Sequence, residues 1–349
     1  MAVGYNNLSG DVRAILDRSF PDIGQTFYVI DSDFRTAAQG WTQSDATGPL
    51  DLFSQRDPGF TFYTPGTGEA NQSYTTDVLA IQAGIDAMVD FRGDTLLFTP
   101  GVYALATAIT LNVPDGRFVG PPVSHSTRSR ATLRGTAAGI TPISSAAAGD
   151  RMEMAFLQLH HNVALANAQV ELVGTDYLHV HDCYSDFRDG TAAVTVLPYE
   201  GITTASEGMQ FSDCWYKADG DFGAFFLATA ANTDSSFTRI HVMNDSGTLV
   251  TSHINLQGEC SNIWSVDCTT QCGNGGAITQ AFLMADQTDN TQVLTSVRFT
   301  SSVATGANAT SLASIAGVDG EFQEVNGWKC IPSGGGASTS VNSLALDTA

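Results

Sequence analysis

Lysine is almost missing from this chain: Lys217 and Lys329 are the only two in 349 residues, and acidic residues outnumber basic ones 36 to 15. A formal net charge of −21 leaves little basic surface to neutralise phosphates, which argues against sequence-independent binding of DNA or RNA. Charged residues of all kinds make up only 15% while hydrophobic ones reach 43%, so the chain is expected to pack rather than stay disordered. No apolar run of about 18 residues occurs, and no membrane span is expected. The opening "MAVGYNNLSGDVRAILDRSF" lacks the basic start and apolar core of a signal peptide, so secretion is not expected. None of the six cysteines forms a C-x-x-C pair, which removes the usual zinc-ribbon and thioredoxin-like readings and leaves free thiols as the expectation. No G-x-S-x-G, phosphate-loop, dinucleotide or zincin motif is present.

What the chain does have is repetition. The segments "LHVHDC", "MQFSDC", "FTRIHV", "IWSVDC", "LTSVRF" and "VNGWKC" begin at Leu178, Met209, Phe237, Ile263, Leu294 and Val325, at steps of 31, 28, 26, 31 and 31 residues. Their sixth positions, Cys183, Cys214, Val242, Cys268, Phe299 and Cys330, are apolar or cysteine throughout. The fifth, starting with Asp182 and Asp213, are polar or charged throughout. A second apolar run follows each: "AAVTVL", "GAFFLA", "SHINL", "TQAFLMA", "SLASIA" and "NSLAL". Short strands recurring at such a period describe a parallel β-solenoid, with each coil laid about 4.8 Å from the last. Strand alternation would turn the sixth position inward as a core ladder and the fifth outward.

That reading addresses the stretch "LHVHDCYSD", whose histidines, aspartates and cysteine are all metal-ligand types. If Cys183 faces the core and Asp182 the solvent, the two cannot converge on one ion, and no metal or other cofactor is expected. Asp182 and Asp213, one coil apart, would satisfy the separation of roughly 5–5.5 Å that a retaining glycosidase needs, and are the pair to test if the chain is an enzyme. Stacked outward aspartates are more simply solvated, and no catalytic residue is assigned. Trp215, Tyr216 and Trp264 are candidates for stacking on sugars, whereas Trp328 fits the core better.

Upstream, Thr76 can cap a helix over about 76–91 with Val78, Leu79, Ile81, Ile85, Met88 and Val89 as its apolar residues, stopped by Gly93. Residues 1–70 read as a separate segment holding "QTFYVID" and "GFTFYT", and 71–349 as the solenoid with its helix and a C-terminal tail.

The stretch "AIQAGIDAMVDFRGDTLLFTPGVYALATAITLNVPDGRFVG" resembles the pectin-lyase-like right-handed β-helix family: a capping helix, a first strand and turn in "TLLFTPGVY", and a next coil in "ITLNVPDGRFVG". With "GQTFYVID" ahead of it, the chain looks most like β-helix proteins carried in tailed-phage virions. The resemblance implies an all-β right-handed parallel β-helix with an N-terminal capping helix and attachment segment. It implies a structural role, foremost capsid decoration (cement) and alternatively a head or tail spike acting on host polysaccharide. Its implied partners are the major capsid protein and sister subunits of a homotrimer, not nucleic acid or membrane, and its place is the virion surface after synthesis in the host cytoplasm. Phe27, Tyr28, Val29, Phe60, Phe62 and Tyr63 would then make the attachment. Deleting residues 1–70 should, on this expectation, leave the solenoid folded.

Overall fold

The computed structural model describes residues 26–31, 50–54, 72–74 and most of 76–244, except 123–129, 146–149, 162–167, 188–196, 202–203 and 219–224; beyond 244 it describes short stretches that are strands. These residues form a parallel β-solenoid. One coil shows the plan. Strand His179–His181 leads through a corner at Asp182 into strand Tyr184–Phe187, and the third strand of the coil is Leu197–Gly201. Each strand pairs in parallel with its counterpart one coil on: His179 with Gln210, Tyr184 with Trp215, Tyr199 with Phe226. The second apolar runs supply the Leu197–Gly201 ladder, although in that coil the strand begins only at the last residue of "AAVTVL".

The corners explain the aspartates of the repeat better than alternation does. Phe156, Asp182, Asp213 and Arg239 all have φ of 52–57°. In that left-handed conformation each N–H turns toward the next coil: Phe156 donates to the His181 carbonyl at 3.3 Å, Asp182 to Ser212 at 3.1 Å, and Asp213 to Thr238 at 3.0 Å. Backbone pairing therefore continues around the bend, and Asp tolerates the conformation better than most residues. A second corner shows the same left-handed φ at Gly93, Asp115, Arg151, Tyr177, Gly208 and Asp234, and there the Asp115, Arg151, Tyr177 and Gly208 N–H groups donate to the next coil. Asp182 thus lies outward because the chain turns there, not because it is the alternate residue of a continuous strand.

Register corrects two rungs of the expected core ladder. Cys183, Cys214 and Cys268 are buried, and Cys268 pairs with Phe299. In the coil between Cys214 and Cys268, however, Trp215 pairs with His241, which places Ile240 beside Cys214. Val242 is buried on the neighbouring Tyr216 rung instead. Cys330 pairs with Ser301, two residues past Phe299. The side chains of Phe299 and Cys330 lie outside the described residues.

The coils also begin earlier than the repeat predicts. Ala131 pairs with Leu157 and Gly101 with Ala131, so the same ladder runs back to the turn after Phe98. At the corner of Gly120 the coils approach closely: a Cβ there would stand 2.3 Å from the Phe156 carbonyl oxygen. Gly120→Ala should therefore cost about 1–3 kcal/mol, measured by denaturant unfolding; an unchanged midpoint would refute the close approach.

Helix α1, Asp77–Ala87, starts where expected, with the Thr76 hydroxyl accepting from the Leu79 N–H. It ends sooner, since Met88 is extended and Val89 N–H turns to the Asp94 carboxylate at 2.7 Å. Its buried face is Ala80, Ile81, Gly84 and Ile85, while Leu79 (52%) and Val89 (47%) are exposed, contrary to the predicted apolar face. Two side chains join it to the first coil: Gln82 exchanges hydrogen bonds with the Thr110 backbone (2.9 and 3.4 Å), and the Asp77 carboxylate accepts from the Ala104 N–H.

The strand Thr26–Asp31 is continuous with the solenoid sheet. It pairs in parallel with Thr95–Phe98 on one side and antiparallel with Leu50–Ser54 on the other. Val29 is fully buried in the core, so it cannot also face a partner. The side chains of Phe27 and Tyr28, and all of Phe60, Phe62 and Tyr63, lie outside the described residues.

Candidate functional site

The outer face around the Asp182 corner carries the densest group of polar side chains that the sequence singled out. It is built from three consecutive coils. Strand Glu153–Ala155 lies beneath His179–His181, which lies beneath Gln210–Ser212. Glu153, His179, His181, Gln210 and Ser212 are partly or fully exposed, while the middle residues Met154, Val180 and Phe211 are buried, as is Ala155.

Glu153 receives a two-pronged ion pair from Arg117, one coil back, at 2.7 and 3.1 Å. Arg117, opposed by partial burial and helped by His181, holds the Glu153 carboxyl below its ordinary range. His181 stands between two carboxylates: its Nε2 lies 3.2 Å from Glu153 and its Nδ1 2.9 Å from Asp182. The His179 ring stacks on it with centroids 4.5 Å apart, and Phe156 meets it edge-on. Burial, and then the neighbouring His181, push the His179 pKa down, while its Nε2 lies 3.3 Å from the Ser212 hydroxyl. Asp213 takes both prongs of Arg239 at 2.6 Å, and that pair depresses its carboxyl against the effect of burial.

Asp182 and Asp213, the pair to test if the chain is an enzyme, occupy adjacent corners with different partners. A carboxyl locked to a guanidinium cannot serve as the protonated acid of a glycosidase, because the acid needs a raised pKa. Asp182 stays tied to His181. The ion pairs Arg117–Glu153 and Asp213–Arg239 are partly exposed, and each is worth only about 0.2–1 kcal/mol. They hold coil to coil.

The cysteines take no part. Burial pushes the Cys183 thiol up to about 12 and raises Cys214 well above the ordinary thiol range. Their Sγ atoms donate to backbone carbonyls, Cys183 to Met154 at 3.7 Å and Cys214 to Ser212 at 3.3 Å. These are protonated core residues. Among the described residues, no group of three or more His, Cys, Asp or Glu is placed to hold a metal ion.

The aromatic candidates divide. Tyr216 is buried and belongs to the core, whereas Trp264 is exposed. Trp215 stacks on His241 with centroids 4.4 Å apart, so ladder packing occupies one face of each ring. Trp328 lies outside the described residues. Sequence reasoning missed Arg117, Glu153 and Arg239, whose partners are 26 to 36 residues away. The coil period offered the signal, since each of these pairs spans about one coil.

Comparison with family models, with curated proteins and with solved structures finds no match for this chain.

Proposed function

We propose that this chain is a structural protein of a tailed-phage virion, a capsid decoration (cement) protein on the outer shell. The observation that carries the reading is the use of the outer polar groups. Arg117–Glu153–His181 and Asp213–Arg239 bind one coil to the next instead of converging on a substrate. Such a rod works by stiffness, because every coil buries its neighbour's inward ladder. Its net negative charge keeps particles soluble and apart.

The finer architecture belongs to the same proposal. The solenoid winds right-handed, as parallel strand connections nearly always do. Helix α1 acts as its N-terminal cap: Gln82 and Asp77 satisfy backbone groups of the first coil, which an uncapped edge would offer to other chains. The segment before the helix attaches the rod to the major capsid protein and to sister subunits of a homotrimer. Phe27, Tyr28, Phe60, Phe62 and Tyr63 are the contact candidates, and Val29 is withdrawn from that set.

The test is the copy number of this chain in purified particles, relative to the shell protein. We expect many copies, on the scale of the shell lattice. A few copies, or a small multiple of three, would favour a spike and call for an assay of polysaccharide cleavage with Asp182→Asn and Asp213→Asn controls. Absence from particles would sink the virion reading.

A further inference from the structure

We propose that His181 is a proton-dependent clamp between coils: with both ring nitrogens protonated it ties Glu153 of the preceding coil to Asp182 of its own, and loss of one proton releases one tie.

The argument rests on the hydrogen-bond inventory of imidazole. A neutral ring has one N–H and one lone pair, whereas the cation has two N–H groups. Both His181 nitrogens face carboxylate oxygens, at 2.9 and 3.2 Å. A carboxylate only accepts, so a neutral ring would turn its lone pair against one of the two oxygens. Only the cation makes both bonds at once. Glu153 does not supply the missing proton, because Arg117 keeps it ionised.

The surroundings channel the proton to this ring. On its own strand His181 meets His179, face to tilted face, and Asp182 at the corner. From the preceding coil come Glu153, with Arg117 behind it, and the Phe156 ring edge. On the following coil stand Ser212, bonded to His179, and Asp213, neutralised by Arg239. Burial disfavours charge on His179, whose ring lies beside the Ser212 hydroxyl, whereas the two carboxylates face His181.

The sign follows from which form bonds. The clamp is made by the ring with both nitrogens protonated, so its stabilisation is present in acid and fades as pH rises and one of those protons is lost. On the acid side it persists until Glu153 itself protonates, below the ordinary carboxylate range. The device thus tightens the stack when the ring is doubly protonated and loosens it when one proton is lost, a response that packing alone would not produce.

Thermal unfolding of the full chain between pH 5 and 8 tests this, comparing wild type with His181→Gln and His179→Gln. We expect the melting gap between wild type and His181→Gln to be several degrees wider at pH 5 than at pH 8. His179→Gln should follow the wild-type pH profile. A gap that does not change with pH would overturn the clamp. Should His181→Gln fail to fold, side-chain nitrogen NMR of the wild type decides: two N–H signals for His181 at pH 5 and one at pH 8 support the proposal, and a neutral ring at pH 5 refutes it.

Discussion

Phe211→Ala should lower the unfolding free energy by about 3–5 kcal/mol, a large fraction of the 5–15 kcal/mol typical of a folded domain. Phe211 is fully buried where the coils' aromatic residues meet. Phe237 of the next coil stacks on it at 5.2 Å with planes 4° apart, Phe226 lies at 5.2 Å, and Tyr199 of the preceding coil meets it edge-on at 5.1 Å. These rings are held by parallel ladders spaced along the solenoid, so they cannot collapse into the space an alanine leaves. The cavity cost adds to the lost transfer energy. Phe211→Leu should recover most of the loss because it refills the volume. Denaturant unfolding measures both variants, and an alanine effect below about 1 kcal/mol would mean the stack is not a load-carrying part of the core.

Deleting residues 1–70 should destabilise the solenoid instead of leaving it intact. The deletion removes strand Thr26–Asp31, which lies directly on Thr95–Phe98. Val29 leaves the core, and its carbonyl is lost as acceptor for both the Thr99 N–H (2.9 Å) and the Tyr103 hydroxyl (3.1 Å). Tyr103 is itself fully buried and packs edge-on against Phe98. The Tyr103 hydroxyl keeps the Thr99 carbonyl at 2.8 Å. The Thr99 N–H loses its acceptor, which costs about 1–3 kcal/mol where it stays buried, and the bared Thr95–Phe98 edge becomes a template for another chain. The expected result is a lower melting temperature, with self-association, for the 71–349 fragment. A fragment starting at residue 25 keeps the strand and should melt close to the full chain. If 71–349 melts as the full chain does, the strand is dispensable and the two-segment division stands.

Mutation of the corner aspartates should be far milder than either change. Asp213 and Arg239 are half-exposed, so solvent screens the pair. The proposed virion role does not depend on their chemistry, which separates it from the spike reading at the level of a single substitution.

The solenoid was legible because its physical cause is periodic. Strands that stack coil on coil require an apolar residue at one recurring position, and Cys183, Cys214 and Cys268 met that requirement in plain view. The start of helix α1 was legible too, since Thr76 capping is a local matter. The same pattern could not choose between Ile240 and Val242. Both are apolar, and a slip of two residues leaves every side chain on its original face, so alternation carries no information about it. The register came from the left-handed corner at Arg239, a backbone property that its side chain does not announce.

By itself, then, the sequence determined the parallel stack, the inward position of Cys183, Cys214 and Cys268 and the acidic character of the chain. Each of these follows from residue type and spacing along the chain. Tertiary structure alone decided which charges meet and where the rod begins. The Arg117–Glu153–His181 chain, the Asp213–Arg239 pair and the burial of Val29 join residues from different coils. Contacts of that kind are set by the length of the intervening loops, which carry no pattern, and so they exist only once the coils have closed on one another.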